Sequence, residues 1–399
     1  MSHHDTSHEN ARPFELSKIG PGATLAGLVL VLIALGTMAS PEMRKPMLQS
    51  YLFGWVFWMT MACGCFGITL LHHTVRGTWG LPILRMVESG GSARTFLTLG
   101  VLFTPILVFM QDLYYWSQPA KVAADPVLQH KLPYLNPAGF AWRAVIFIGV
   151  MAWMAYGLRK STRRQDESKL FKEEQTRTNY AAPGLVLFGL IMTFAFTDWV
   201  MSLDPHWFST IWGVLFMVGS GAAALSFAVM LLGANHDRKP FAEVMSPALT
   251  RDLGNLLFVF TMLWGYVHLS QYLIIWSGNL PEFTTYFFYR SQGGWNMVGA
   301  ALIVGQFFFP FIALLVPRVK RDPMLLARVA GWLFVMRIFD IYNFVVPFFR
   351  PTPVPVWMDV VAFLGLGGVW LAIFAREMAG APILPQYDRR LQEALEHAH

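Results

Sequence analysis

Residues 194–219 read FAFTDWVMSLDPHWFSTIWGVLFMVG. Two apolar runs meet in this stretch at a short polar corner that holds Asp198, Asp204, Pro205 and His206. Hydrocarbon offers no water to a carboxylate, and a charge near the centre of a membrane helix costs roughly 2.5–3.5 kcal/mol on insertion scales. An aspartate kept in such a place implies a use, and Asp198 is therefore a proton-handling candidate.

Outward from this corner the same apolar character continues. Of 399 residues, 55% are hydrophobic and only 14% are charged, against about 25% charged in soluble domains. Apolar stretches of roughly 20 residues recur along the chain, each long enough at about 1.5 Å per residue to cross a hydrocarbon layer about 30 Å thick. The expected fold is all-α and polytopic. Charge and Pro/Gly punctuation mark ten spans, at 20–39, 48–73, 94–116, 138–158, 180–203, 207–233, 249–277, 293–316, 324–348 and 355–376. The corresponding organisation is a tail at 1–19, a ten-helix membrane domain at 20–378 with a hydrophilic midpoint loop at 159–179, and a second tail at 379–399. Pro105 in the third span and Pro310 in the eighth each predict a kink, because proline removes a helical hydrogen bond. The seventh span is longer than a crossing needs, and its Ser246-Pro247 step predicts a helix start at the surface.

Lysine and arginine in the connections set the orientation. Nineteen lie on the face shared by the two termini, and six, Arg44, Lys45, Lys121, Lys131, Arg290 and Arg350, lie on the other. The excess predicts that both termini are cytoplasmic. The net charge of +6 comes with no Gly-rich phosphate loop and no basic-aromatic array, so membrane lipid rather than nucleic acid is its expected counterpart. Cys63 and Cys65 are one residue apart in an apolar helix and read as packing residues, with no disulfide framework and no metal or redox spacing. The polar start lacks the apolar core of a signal peptide and is expected to stay on the mature protein, with His3, His4 and His8 in a solvated tail.

With this orientation, ionisable residues gather in the outward half of the spans: Asp112, Asp198, Asp204, His206, His268, Asp340 and Asp359. Trp264, His268 and Gln271 fall on one helical face at i, i+4 and i+7, the pattern of a water-lined or quinone-facing stripe. Arg337 and Asp340, at i and i+3, are spaced to neutralise one another, and Asn343 extends their strip. Asp112 sits among Tyr114, Tyr115 and Trp116, which resemble an interfacial aromatic belt. His72 and His73 point about 100° apart on a helix and cannot both face one ligand; His268 lies in the opposite half of the membrane, which argues against a bis-histidine haem. No nucleophile-and-base set, zinc spacing or dinucleotide fingerprint is present. The small-residue runs GSGAAALS and GLGG predict close helix contact.

Three long strings carry a family likeness: LHHTVRGTWGLPILRMVE, FTDWVMSLDPHWFSTIWGVLFMVGS and SQYLIIWSGNLPEFTTYFFYRSQGGW. They resemble the F subunit of alternative complex III, a membrane quinol:electron-acceptor oxidoreductase, within the NrfD or polysulfide-reductase membrane-subunit superfamily. The resemblance implies two four-helix bundles with flanking helices, no haem or other redox centre in this chain, and residence in a bacterial inner membrane. It implies as partners a homologous C-type membrane subunit, an iron-sulfur subunit, multi-haem cytochrome c subunits and a terminal oxidase. Electrons would then travel on iron-sulfur clusters and haem c held by those partners. For this chain it implies a part in proton transfer, for which the outward ionisable cluster offers Asp112, Asp198, Asp204, His206, His268, Arg337 and Asp340 as route candidates. Quinone binding would fall to Trp264, His268 and Gln271. A different class of reading is a membrane scaffold for peripheral redox subunits, in which the same polar groups are structural pairs.

Overall fold

A computed structural model describes residues 19–170, 172–385, 388, 390 and 391; the histidines of the N-terminal tail lie outside them. Among the described residues there are helices and turns and no strands. Nine helical stretches among the described residues are long and apolar enough to cross a membrane: Gly20–Met38, Pro41–Val75, Thr78–Val108, Pro137–Ser168, Lys172–Leu203, Trp212–Ala234, Pro247–Gly278, Trp295–Leu315 and Trp357–Ala379. Large apolar side chains stand open on their outer faces, among them Leu25, Val101, Trp142, Val186, Tyr266 and Ile312, as a lipid solvent requires. The protein is an all-helical, multi-pass membrane protein. The expected ninth span is also a helix, Pro323–Val345, but it is outside the apolar set because it carries Arg328, Arg337 and Asp340. It packs most extensively on the sixth span, and Arg337 and Asp340 are buried there.

In the order of these ten helices, the second to fifth pack in a ring and form one four-helix bundle, and the sixth to ninth form another. The second and sixth helices make the seam between them, while the first and tenth run together along the outside. Glycines set these contacts. A Cβ on Gly64 would lie 1.9 Å from the Ser220 carbonyl oxygen across the seam, and one on Gly27 would lie 2.7 Å from the Gly368 backbone. The runs GSGAAALS and GLGG thus supply close helix contact, as expected. Cys63 and Cys65 are free and buried, with the Cys63 sulfur 3.7 Å from that of Met151.

Several boundaries differ from expectation. The hydrophilic stretch 159–179 is not a loop. The fourth helix continues to Ser168 and the fifth begins at Lys172, joined through Lys169 at φ 61°. The charges there lie at helical spacing and bond across the hairpin, Ser161 Oγ to Glu173 at 2.8 Å and Arg177 Nη2 to Gln165 Oε1 at 2.5 Å. The third span begins earlier than its hydropathy suggests, with a wholly buried helix, Leu81–Gly90. It continues as Ala93–Val101, breaks just before Pro105, and ends at Val108, so Asp112 sits in a following turn. The eighth helix absorbs Pro310 through a π-helical stretch, Ile303–Phe308. The seventh starts at Pro247, where Ser246 Oγ accepts from the Leu249 N–H at 3.2 Å. Part of the expected C-terminal tail is packed, with Leu384 and Leu391 buried against Leu81 and Val244.

Candidate functional site

The most reactive arrangement among the outward candidates lies between the seventh and ninth helices. Helical spacing stacks Trp264 and His268 on one face, their rings 4.1 Å apart, and aligns Arg337 with Asp340 on the facing helix. Asp340 is 1% exposed and Arg337 is fully buried. The two Asp340 oxygens are used differently. Oδ2 accepts from Trp264 Nε1 at 2.8 Å and from the Arg337 guanidinium, whereas Oδ1 faces His268 Nε2 at 3.8 Å. His268 Nδ1 is 2.9 Å from the Trp264 carbonyl oxygen. A carbonyl only accepts, so Nδ1 carries the proton and neutral His268 presents a lone pair at Nε2. That nitrogen has no hydrogen-bond partner among the described residues. The pair can take up a proton at Nε2 and hold the resulting imidazolium beside a carboxylate.

One feature missed in the sequence, and one read there only in part, complete this group. Gly219 of the sixth helix leaves the space that the guanidinium fills, since a Cβ there would sit 2.3 Å from Arg337 Cζ. Asn343 belongs to the polar strip, but its backbone carbonyl is the group in use, accepting from Arg290 Nε at 3.0 Å. Arg290 also donates to the Tyr286 and Phe344 carbonyls and lies 3.6 Å from the Tyr286 ring centroid.

At the corner, His206 Nε2 pairs with Asp125 Oδ2 at 2.6 Å and the His206 N–H donates to Asp204 Oδ1 at 3.1 Å. Asp125, from the connection after the third span, had no sequence signal beyond its Asp-Pro step. Asp112, Asp204 and His206 line a cavity of about 480 Å³. Of the expected quinone stripe, Trp264 and Gln271 are buried, and only His268 reaches the surface, its side chain 27% exposed.

The other outward acids are tied off separately. Asp198 lacks a cation in its own span, yet the fourth helix supplies Arg143, whose Nε and Nη2 reach its two oxygens at 2.6 and 3.4 Å. Asp359 receives both Arg350 nitrogens at 2.7 and 2.8 Å, Ser50 Oγ at 2.6 Å and the Val356 N–H at 2.9 Å. No hydrogen bond or ion pair among the described residues links Asp198 to His268 or Asp340.

The expected outward concentration of ionisable groups is corrected by an equally buried set at the opposite end. Glu88 accepts from Arg85 at 3.0 Å and Thr162 at 3.1 Å and lies 3.4 Å from His73 Nε2. Arg85 also forks onto both Asp166 oxygens at 2.8 Å. Arg85 is thus no solvated loop cation. Its burial was hidden because Leu81–Gly90 is too short to read as a span. His72 turns away from Glu88, edge-on to Trp79, as the spacing of adjacent histidines predicts.

Fold and site together define a multi-pass helical membrane protein whose second bundle buries a carboxylate, Asp340, 3.8 Å from an unpartnered histidine nitrogen. No protein-family model matches the chain, and no curated protein sequence matches it.

Proposed function

We propose that this chain is a haem-free integral membrane subunit of a respiratory quinol:electron-acceptor oxidoreductase of the alternative complex III type, contributing proton transfer through His268 and Asp340. The observation that carries the reading is the unpartnered His268 Nε2, 3.8 Å from a buried carboxylate oxygen. Quinol oxidation releases two protons as electrons leave, so a base poised inside the bundle is the chemistry required. His268 would accept a proton at Nε2. Arg337 and Trp264 hold Asp340 in place with Oδ1 toward the imidazole, and the carboxylate offsets the new charge. The three quoted strings support membership of the complex and with it a bacterial inner-membrane location, and the nineteen-to-six cation excess supports cytoplasmic termini. The C-type membrane subunit, the iron-sulfur subunit and the cytochrome c subunits are the proposed partners.

The saturated pairs Asp198–Arg143 and Asp359–Arg350 favour a second role as scaffold. In the purified complex, reconstituted in vesicles, His268→Gln should cut quinol-driven proton release about tenfold or more while the subunits still co-purify. Unchanged proton release with intact assembly would leave the scaffold role alone standing.

A further inference from the structure

Away from the proton-active pair, a cavity of about 340 Å³ opens between the third and fourth helices at the end that bears the excess cations. Arg94, Arg159, Lys160, Arg163 and Arg164 line it, against Glu167 and Glu377. Glu377, only 4% exposed, sits at its base, 2.6 Å from Arg94, 3.1 Å from Arg159 and 3.9 Å from Arg163. One carboxylate cannot neutralise three guanidiniums. With Lys160 and Arg164 added and Glu167 subtracted, five positive charges face two negative ones. Arg94 and Arg163 remain more than half exposed, at 57% and 53%, so beyond their contacts with Glu377 both guanidiniums keep N–H donors open to a ligand. Ser92 caps the nine-residue helix Ala93–Val101 at the cavity wall, adding the positive end of a helix dipole.

The surroundings identify the source of the anion. The cavity lies where the fourth helix passes from its apolar crossing to its charged extension. On the helix faces that flank the cavity, Leu97 and Val101 are 56% and 71% exposed, one and two turns along from Arg94, and Tyr156 is 58% exposed at the cavity's rim. A polar, cationic pocket continuous with an apolar outer strip fits an amphipathic ligand: phosphate above, acyl chains below. A soluble anion would have no use for the strip. We propose that this groove is a specific site for an anionic phospholipid, its phosphate held by Arg94, Lys160, Arg163 and Arg164. The site is independent of the quinol reading.

Native mass spectrometry of the full-length chain in detergent tests this directly. Diphosphatidylglycerol, phosphatidylglycerol, phosphatidylcholine of matched chains, and inorganic phosphate are added in turn. The anionic lipids should be retained at least about tenfold over phosphatidylcholine, and the triple variant K160Q/R163Q/R164Q should weaken retention on the order of 100-fold, with Arg251→Gln, on another helix, unchanged. Equal retention of phosphatidylcholine, displacement of lipid by equimolar inorganic phosphate, or an unaltered triple variant would overturn the site. Should the triple variant fail to fold, a phosphatidylglycerol with a photoreactive headgroup, applied to the wild-type chain, decides: labelling at 92–94 and 155–164 supports the groove, and labelling elsewhere refutes it.

Discussion

Asp340 shows how much a single buried side chain is asked to do. Its Oδ2 holds Arg337 and Trp264, and Oδ1 is turned to His268. Removing one partner of a buried pair leaves the other charge uncompensated, at a cost of about 3–5 kcal/mol, whereas replacing both by apolar residues is often nearly neutral. Asp340→Ala should therefore lower stability by that amount in thermal unfolding, and the double variant Arg337→Met with Asp340→Leu should recover most of it while abolishing proton release. Gly219→Ala drives a methyl into the guanidinium and should cost about 1–3 kcal/mol by overpacking. The Arg337–Asp340 pair was legible in sequence because both partners share one helix. Arg143 and Gly219 were not, because each meets its partner from another helix, and spacing along a chain carries no information across helices.

At the level of helices and their connections, contact depends on small residues and a few polar ties. The first helix leans on the tenth through Gly27 and Gly368, and lipid-embedded helices associate by such close packing. Gly27→Leu should detach the first helix, read as loss of a disulfide cross-link engineered between residues 31 and 365. The connection carrying Asp125 is docked on the corner by His206. Desolvation pushes the Asp125 carboxyl up, but the hydrogen bonds from His206, Val127 and Leu128 together outweigh it and hold the group below the ordinary carboxylate range. The stabilisation is thus full above the ordinary carboxylate range and fades as pH falls through the lower, folded-state value. The protection factor against hydrogen exchange at 119–131, corrected for the intrinsic rate, should fall on that acid side and be constant above it. Asp125→Asn should remove the dependence.

For the whole molecule, the cation imbalance and the alternation of ten helices predict an orientation with both termini in the cytoplasm. Ser168→Cys should react with a membrane-impermeant thiol reagent only from the cytoplasm, and Ser277→Cys only from outside; buried Cys63 and Cys65 stay silent. The division into two bundles joined by the second and sixth helices places Asp198 and His268 in different bundles. The acidic residues that look like one outward cluster in the chain are therefore separate pairs in space, balanced by Glu88 and Glu377 at the other end.

Hydropathy alone determined that this chain is a multi-pass helical membrane protein, where most crossings lie, and which polar residues must be accounted for, because lipid penalises every unpaired charge and every open backbone group. Tertiary structure alone decided which charges are satisfied and which remain available. Ion pairing between helices depends on depth and facing, so only the assembled fold separates the saturated Asp198 and Asp359 from His268, whose Nε2 has no hydrogen-bond partner among the described residues.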